Sequence, residues 1–436
     1  MALTYQVAPG GAFTGRIRVP GDKSISHRSI MLGSIAEGVT RVSGFLEGED
    51  ALATMNVFRA LGVRIDGPER GRVTVHGVGL RGLKAPPAEL DCGNSGTSMR
   101  LLCGLLAGQN FDCELTGDAS LRRRPMQRVA VPLGQMHAAI ATAEGGRPPL
   151  RITGGGALRG IEYQMPIASA QVKSALLLAG LYAHGRTCVT EPAPTRDHTE
   201  RMLAAFGYPV ERNGATVCVT GGGKLTATSI DVPADISSAA FFMVGASIAP
   251  GSDLTLEHVG VNPTRTGAID ILRLMGANIE LINQRHAGGE PVADIRVRHA
   301  ELKGIEIPVE LVPLAIDEFP VLFVAAASAR GVTVLRGAEE LRVKESDRIQ
   351  VMADGLQALG IAAEPAADGM RVTGGRYGGG VVASHGDHRV AMAFAIAALR
   401  VDAPIAITDC ANVATSFPGF VPLARAAGLR ISETGI

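Results

Sequence analysis

A chain of 436 residues is too long for one ordinary hydrophobic core and points to two or three domains. With 46% apolar and 19% charged residues it is set to fold rather than stay disordered. Lys+Arg and Asp+Glu both number 42, which excludes bulk binding to nucleic acid or a membrane surface and leaves anion recognition to locally placed Arg and Lys.

No apolar run approaches the ~18 residues of a membrane span, and the opening Met1-Ala2-Leu3-Thr4-Tyr5 carries no signal-peptide pattern. The six cysteines, Cys92, Cys103, Cys113, Cys188, Cys218 and Cys410, include no C-x-x-C pair. They read as free, mostly buried thiols in a reducing, cytoplasmic setting. Trp is absent and aromatics are scarce, so base-stacking platforms and aromatic sugar shelves are not expected.

Along the chain, an apolar, Ala-rich helix opening from a polar or Gly-rich loop recurs six times. Its openings are Ser24-Ile25-Ser26, Ser95-Gly96-Thr97, Ser169-Ala170-Gln171, Asp235-Ile236-Ser237, Asp317-Glu318-Phe319 and Asp387-His388-Arg389. Their middle residues recur roughly every 70 positions, the signature of a repeat architecture. Stretches such as Ala239–Ala246 and Val321–Ala327 are apolar all round and belong in a core. After each comes a more amphipathic helix ending at glycine: Phe58-Arg59-Ala60-Leu61-Gly62, Ala205-Phe206-Gly207, Leu274-Met275-Gly276, Ala358-Leu359-Gly360 and Ala426-Ala427-Gly428. The segment near Met136-His137-Ala138 lacks the glycine and is the weakest copy. Alternating strands follow, as in Val73-Thr74-Val75-His76-Gly77 and Val217-Cys218-Val219-Thr220-Gly221. The pattern predicts an α/β (α+β) chain of six β-α-β-α-β-β repeats, three per domain. Residues 1–20 plus 234–436 form a discontinuous domain, with 21–233 inserted. An ordinary doubly wound sheet is the alternative, but it gives no reason for a steady period.

The openings of the buried helices hold most of the polar residues of interest. A helix N-terminus offers unpaired N–H groups and partial positive charge, and so favours phosphate or carboxylate. Gly21-Asp22-Lys23-Ser24-Ile25-Ser26-His27-Arg28 puts Lys23 beside the loop and Ser24 and Arg28 on one helical face. N-capping alone explains the serines but not Lys and Arg at the mouth of a buried helix. Asp91–Arg100 is a Gly-rich loop that lets backbone approach a ligand, or merely turns the chain. In Arg122-Arg123-Arg124-Pro125-Met126-Gln127-Arg128, a run that is ordinarily solvated, Pro125 is placed to start a helix with Arg128 one turn in. Asp317-Glu318, Lys344-Glu345-Ser346-Asp347-Arg348 and His385-Gly386-Asp387-His388-Arg389 mix acid and base at loop–helix junctions, which suits proton transfer beside an anion. A surface ion-pair network is the alternative for Lys344–Arg348.

Other signals fail. Gly77-Val78-Gly79-Leu80-Arg81-Gly82 matches a dinucleotide fingerprint, but Pro86-Pro87 follows where its helix belongs. There is no phosphate-binding G-x-x-x-x-G-K-[ST] loop and no G-x-S-x-G elbow. His385 and His388 lack further ligands at zinc spacing, so no metal is expected.

Taken together, Pro20–Arg28, Gly93–Arg100, Arg124–Arg128, Ser169–Ser174, Thr195–Arg201, Asp317–Pro320, Arg342–Arg348, Asp387–Met392 and Thr415–Pro418 resemble, in order and spacing, the EPSP synthase (3-phosphoshikimate 1-carboxyvinyltransferase) family over essentially the whole chain. The resemblance implies a two-domain inside-out α/β barrel of the enolpyruvyl transferase type, with the active site in the cleft between the domains. It implies that Lys23, Ser24, Arg28, Ser169, Gln171, Arg196, Asp317 and Lys344 hold shikimate 3-phosphate, and that Lys23, Gly96, Arg128, Gln171, Arg348 and Arg389 hold phosphoenolpyruvate. Asp317 is then the candidate base at the 5-hydroxyl, with Glu345 and Lys23 candidates for proton exchange at the methylene carbon. Glyphosate is the implied inhibitor; no cofactor, metal, nucleic acid or membrane partner is implied, and a monomer is expected.

Ala170, Glu340 and Ala414 depart from the best-known form, the last removing a Lys that many members carry before Thr415-Ser416-Phe417-Pro418. Ser169-Ala170-Gln171-Val172-Lys173, Arg196-Asp197-His198-Thr199-Glu200 and Asn262-Pro263-Thr264-Arg265 look like the class II subgroup. The nearest rival, an enolpyruvyl transferase acting on UDP-N-acetylglucosamine, shows Lys-Asn in place of Lys23-Ser24 and a reactive loop Cys near position 115. Cys113 lies before the Arg cluster and reads as structural. A non-enzymatic, anion-binding repeat protein needs neither Asp317 nor Glu345.

Overall fold

The computed structural model describes residues 3–435. Its α-helices are α1 (Lys23–Ile35), α2 (Glu49–Ala60), α3 (Gly96–Ala107), α4 (Gln127–Gln135), α5 (Ala170–Gly180), α6 (His198–Ala205), α7 (Ile236–Ile248), α8 (Gly267–Leu274), α9 (Phe319–Ser328), α10 (Arg348–Ala358), α11 (His388–Ala397) and α12 (Phe420–Ala427). The odd-numbered helices open at the six sequence-predicted points, and every residue of α7 is buried. The even-numbered helices lie outside them. Of these, α2, α6, α8, α10 and α12 exit near glycines in the left-handed region, Gly62, Gly207, Gly276, Gly360 and Gly428. After α4, where glycine is missing, His137 itself takes that conformation at φ 69°. The weakest copy in sequence therefore keeps the same backbone exit.

The chain divides into two compact units. The inserted unit is Gly21–Val232 with Ala287–Gly289; the discontinuous unit is Met1–Pro20, Pro233–His286 and Glu290–Ile436. The inserted unit contains three four-stranded sheets built on one plan. In the second of them, Leu90–Asp91 runs parallel to Cys113–Thr116, which pairs antiparallel with Arg147–Thr153, and Ala139–Ala143 lies at the far edge. The third repeats this order with Glu162–Gln164, Arg186–Thr190, Thr216–Thr220 and Glu211–Asn213. In the first sheet the leading strand comes from the other end of the unit: Ser229–Asp231 pairs parallel with Glu37–Ser43.

In the discontinuous unit, Thr14–Ile17 leads the fourth sheet, parallel to Asp253–Gly260. In the sixth, Gly380–Ala383 leads and Thr4–Val7 sits between Ile405–Thr408 and Ile431–Thr434. The fifth has three strands, its leading strand reduced to the bridges Lys303↔Arg330 and Glu306↔Val334. Each unit has its own apolar core around its buried helices. No helix among the described residues is long and apolar enough to cross a membrane.

One sequence expectation is corrected. Cys188 and Cys218 form a disulfide, with Cα atoms 4.1 Å apart. They face each other in the antiparallel register of Arg186–Thr190 and Thr216–Thr220, a juxtaposition set by sheet pairing and hidden by a sequence separation of 30. Cys92, Cys103, Cys113 and Cys410 are free and buried. Burial pushes the thiols of Cys103, Cys113 and Cys410 up to about 12, which makes them poor nucleophiles.

Candidate active site

In the inserted unit, cationic and polar side chains collect at the openings of α1, α3 and α5. Asp22 caps α1, its Oδ1 accepting from the Ile25 N–H at 2.9 Å. Lys23 follows at once and pairs with Asp50 of α2 at 2.9 Å. Arg28, one turn on and buried, is aimed by three acceptors: Thr199 Oγ1 at 2.7 Å, Ser174 Oγ at 3.0 Å and the Ser24 carbonyl at 3.0 Å. These contacts tie α1 to α5 and α6, and the two hydroxyls fix the plane of the guanidinium fork.

Gly96 is the first residue of α3, capped by Ser95. Gln171, one residue into α5, bridges to that end: its Oε1 accepts from Arg100 at 2.7 Å and its Nε2 donates to Thr97 Oγ1 at 3.0 Å. Ser169 caps α5. Arg128 lies in the first turn of α4, which begins at Gln127 rather than at Pro125. It lines, with Ser169, Tyr163 and Met165, a cavity of about 260 Å³. In the preceding run Arg122 and Arg123 are exposed, whereas Arg124 donates to Asn94 at 2.7 Å. Arg196 is half-buried in the loop before α6. That loop is pinned through Thr195, whose N–H and hydroxyl donate to Glu191 at 3.1 and 2.5 Å. Glu191 in turn pairs with Lys173 at 3.0 Å, and Lys173 with Glu200 at 2.7 Å, all three buried.

In the discontinuous unit, Asp317 lies 3.5 Å from Lys344 and 3.4 Å from Arg348. Arg389 donates to the Asp317 backbone carbonyl at 3.0 Å. Arg348 is only 1% exposed and so lies outside any surface ion-pair network, whereas Asp347 pairs with Arg342 at a part-exposed position. Its fork is engaged by Asp387 at 2.8 Å and Glu345 at 2.6 Å as well as by Asp317. Burial opposes its charge, but Asp387, Glu345 and Asp317 together outweigh that and hold it above its ordinary value. For Asp387 burial pushes the other way, and the Arg348 guanidinium keeps its carboxyl below the usual range. Glu340 pairs with Lys344 at 3.8 Å. Where the family often carries Lys, Ala414 precedes Thr415, whose hydroxyl donates to the Asn412 carbonyl at 2.7 Å.

In the discontinuous unit a carboxylate set among Lys344, Arg348 and Arg389 is placed to accept a proton, and in the inserted unit the cationic helix openings suit anions. The EPSP synthase (3-phosphoshikimate 1-carboxyvinyltransferase) family model matches residues 7–423. The chain belongs to the EPSP synthase family. It is 70% identical over 432 residues to the 3-phosphoshikimate 1-carboxyvinyltransferase of Alkalilimnicola ehrlichii, covering 99% of this chain and 97% of that one. It is likewise 70% identical over 429 residues to that of Methylococcus capsulatus, covering 98% of each. The solved EPSP synthase of Acinetobacter baumannii superposes with a TM-score of 0.90 at 59% identity, covering 99% of this chain and 100% of that one. An enolpyruvyl transferase of Streptomyces tendae shares the fold, with a TM-score of 0.80 at 18% identity.

Sequence reasoning missed the partners that hold these family residues in place: Asp50 on Lys23, Ser174 and Thr199 on Arg28, Arg100 on Gln171, and Lys173 with its two glutamates. Lys173 carried a usable signal, a lone charge inside the apolar run Val172–Ala179. His27 is another. It is wholly buried, and burial, then Lys23 and Arg28, lower its pKa to about 3, against a smaller opposing effect of Asp22. Between pH 6.5 and about 3 the unfolded chain binds a proton there that the folded chain refuses. Stability is thus full above pH 6.5 and falls as pH drops, by up to about 1.4 kcal/mol per unit. Urea unfolding of wild type and His27→Asn at pH 7.0, 6.0 and 5.0 should show the mutant's stability falling less steeply. Parallel curves would mean that His27 titrates alike in both states.

Proposed function

We propose that this chain transfers the enolpyruvyl group of phosphoenolpyruvate to the 5-hydroxyl of shikimate 3-phosphate, giving 5-enolpyruvylshikimate 3-phosphate and phosphate in aromatic amino-acid biosynthesis. The observation that carries the reading is Asp317, a carboxylate flanked by Lys344 and Arg348 and tied through its backbone to Arg389. Asp317 takes the hydroxyl proton as the oxygen attacks C2 of phosphoenolpyruvate. The methylene carbon gains a proton from Glu345 or Lys23, giving a tetrahedral ketal phosphate. Loss of a methyl proton and of phosphate completes the transfer.

Lys23, Ser24, Arg28, Ser169, Gln171, Arg196 and Lys344, with Asp317, hold shikimate 3-phosphate. Lys23, Gly96, Arg128, Gln171, Arg348 and Arg389 hold phosphoenolpyruvate, with Lys and Arg stabilising the charge that phosphate and carboxylate carry. The cytoplasmic location and monomeric state expected from the sequence go with this reading. Purified chain should release phosphate from phosphoenolpyruvate only when shikimate 3-phosphate is added, and equally in a chelator. Undiminished release with UDP-N-acetylglucosamine instead would assign the rival activity.

Glyphosate, with a phosphonate and a carboxylate, suits the same cations and should compete with phosphoenolpyruvate. A methyl on Gly96 would lie 2.9 Å from Arg100 Nη1 and 3.1 Å from Arg124 Nη1, both ends of flexible side chains. Gly96→Ala should therefore fold, while its methyl narrows the opening of α3 against the longer ligand. The ratio of glyphosate Ki to phosphoenolpyruvate KM is expected to rise on the order of tenfold. An unchanged ratio would remove Gly96 as the gate.

A further inference from the structure

His27 has no role in the proposed reaction, yet its ring joins three helices, α1, α2 and α3. It lies one turn beyond Lys23 on α1. Nδ1 meets Thr54 Oγ1 of α2 at 2.7 Å and Ser98 Oγ of α3 at 3.3 Å, and Nε2 faces Ser95 Oγ, the cap of α3, at 3.5 Å. The hydroxyls are themselves linked, Thr54 to Ser98 at 2.5 Å and Ser98 to Ser95 at 2.8 Å. His27, Thr54, Ser95 and Ser98 are at most 1% exposed.

A closed polar ring in an apolar interior is held by mutual satisfaction, and removing one member strands the others. An aliphatic side chain could fill the same space. It would leave without a partner the hydroxyls that Nδ1 meets on α2 and α3 and the Ser95 hydroxyl that Nε2 faces. The burial that keeps the imidazole neutral also suits its place beside Lys23 and Arg28, where a third positive charge would be repelled. Through Ser95 the ring sets where Gly96 and the first N–H groups of α3 stand relative to Lys23, and through α2 it reaches Asp50, the counter-ion of Lys23.

We infer that His27 is a positioning residue for phosphoenolpyruvate, fixing the opening of α3 relative to Lys23 and thereby setting how sharply the chain distinguishes phosphoenolpyruvate from glyphosate. This rests on the proposed reading that Lys23 and Gly96 hold phosphoenolpyruvate. Displacing a binding element by about an ångström can cost on the order of 10²-fold, so the effect reaches far beyond the ring itself.

The test compares full-length wild type, His27→Leu, His27→Asn and Thr54→Val. His27→Leu should raise the phosphoenolpyruvate KM about tenfold or more and shift the glyphosate Ki to KM ratio at least about threefold. Its kcat should stay within about threefold of wild type, and its affinity for shikimate 3-phosphate alone within about twofold. His27→Asn, which can still donate and accept, should recover most of the KM. If His27→Leu does not fold, Thr54→Val carries the same expectations.

An unchanged KM, equal losses in kcat and kcat/KM, a parallel loss of shikimate 3-phosphate affinity, or an Asn variant no better than Leu would each overturn the inference. Amide exchange at Gly96–Met99 in the unliganded chain gives a readout independent of the reaction. It should speed up about tenfold or more in His27→Leu relative to the remainder of α3, and unaltered exchange would overturn the inference. Wild type that releases no phosphate while these amides respond would instead count against the proposed reaction.

Discussion

Asp317→Asn is expected to lower turnover by roughly 10²–10⁴-fold, the usual loss when a general base is removed. The amide is nearly the size of the carboxylate, and its oxygen can still accept from Lys344 and Arg348, which stand 3.5 and 3.4 Å from Asp317. The bond from Arg389 goes to the backbone carbonyl and is untouched by the substitution. What is lost is the ability to take a proton from the 5-hydroxyl. Shikimate 3-phosphate should therefore bind within about threefold of wild type while phosphate release collapses. A loss below threefold in protein with a wild-type unfolding curve would take Asp317 out of the proton-transfer step.

Lys173→Met should have the largest effect on stability. The Lys173 side chain is inaccessible to solvent and pairs with Glu191 and Glu200 at 3.0 and 2.7 Å. Methionine is close to lysine in length and apolar but strands two buried carboxylates, and Arg212, 3.3 Å from Glu191, compensates only one of them. Breaking such a buried pair from one side typically costs about 3–5 kcal/mol. Urea unfolding should show a loss of that size, and adding Glu200→Gln should restore part of it by removing a stranded charge. A loss under about 1 kcal/mol would mean that the carboxylates find protons or water. The damage should also extend to function. Glu191 holds the loop carrying Arg196, so affinity for shikimate 3-phosphate should fall more than affinity for phosphoenolpyruvate.

The repeat architecture was legible because it is written locally. Apolar helices such as α7 and α9 stand out against their loops, and five of the outer helices stop at glycine. Where the local code changed, the backbone did not, as His137 shows by adopting the conformation its glycine counterparts adopt. The charged residues proposed for the site could be picked out for the same reason, being clustered at helix openings a few residues long.

Their supports were not legible. Thr199 and Ser174 reach Arg28 across separations of 171 and 146 residues, and Asp387 reaches Arg348 across 39. Nothing in the sequence around Arg28 or Arg348 indicates such partners. The Cys188–Cys218 pairing escaped notice for a related reason, since it depends on strand register rather than on spacing.

The strand pairing between distant parts of the chain imposes an order on folding during synthesis. The inserted unit has its last strand once Ser229–Asp231 has left the ribosome, and it can then close around its own core. Thr4–Val7 belongs between Ile405–Thr408 and Ile431–Thr434, which are made long after it. The nascent chain must therefore carry that strand unpaired until Ile405–Thr408 has been made, an edge open to pairing with a neighbouring copy. Losing Ile431–Thr434 would turn Thr4–Val7 from an inner strand into an open edge, so damage at one end of the unit's sequence would be felt at the other.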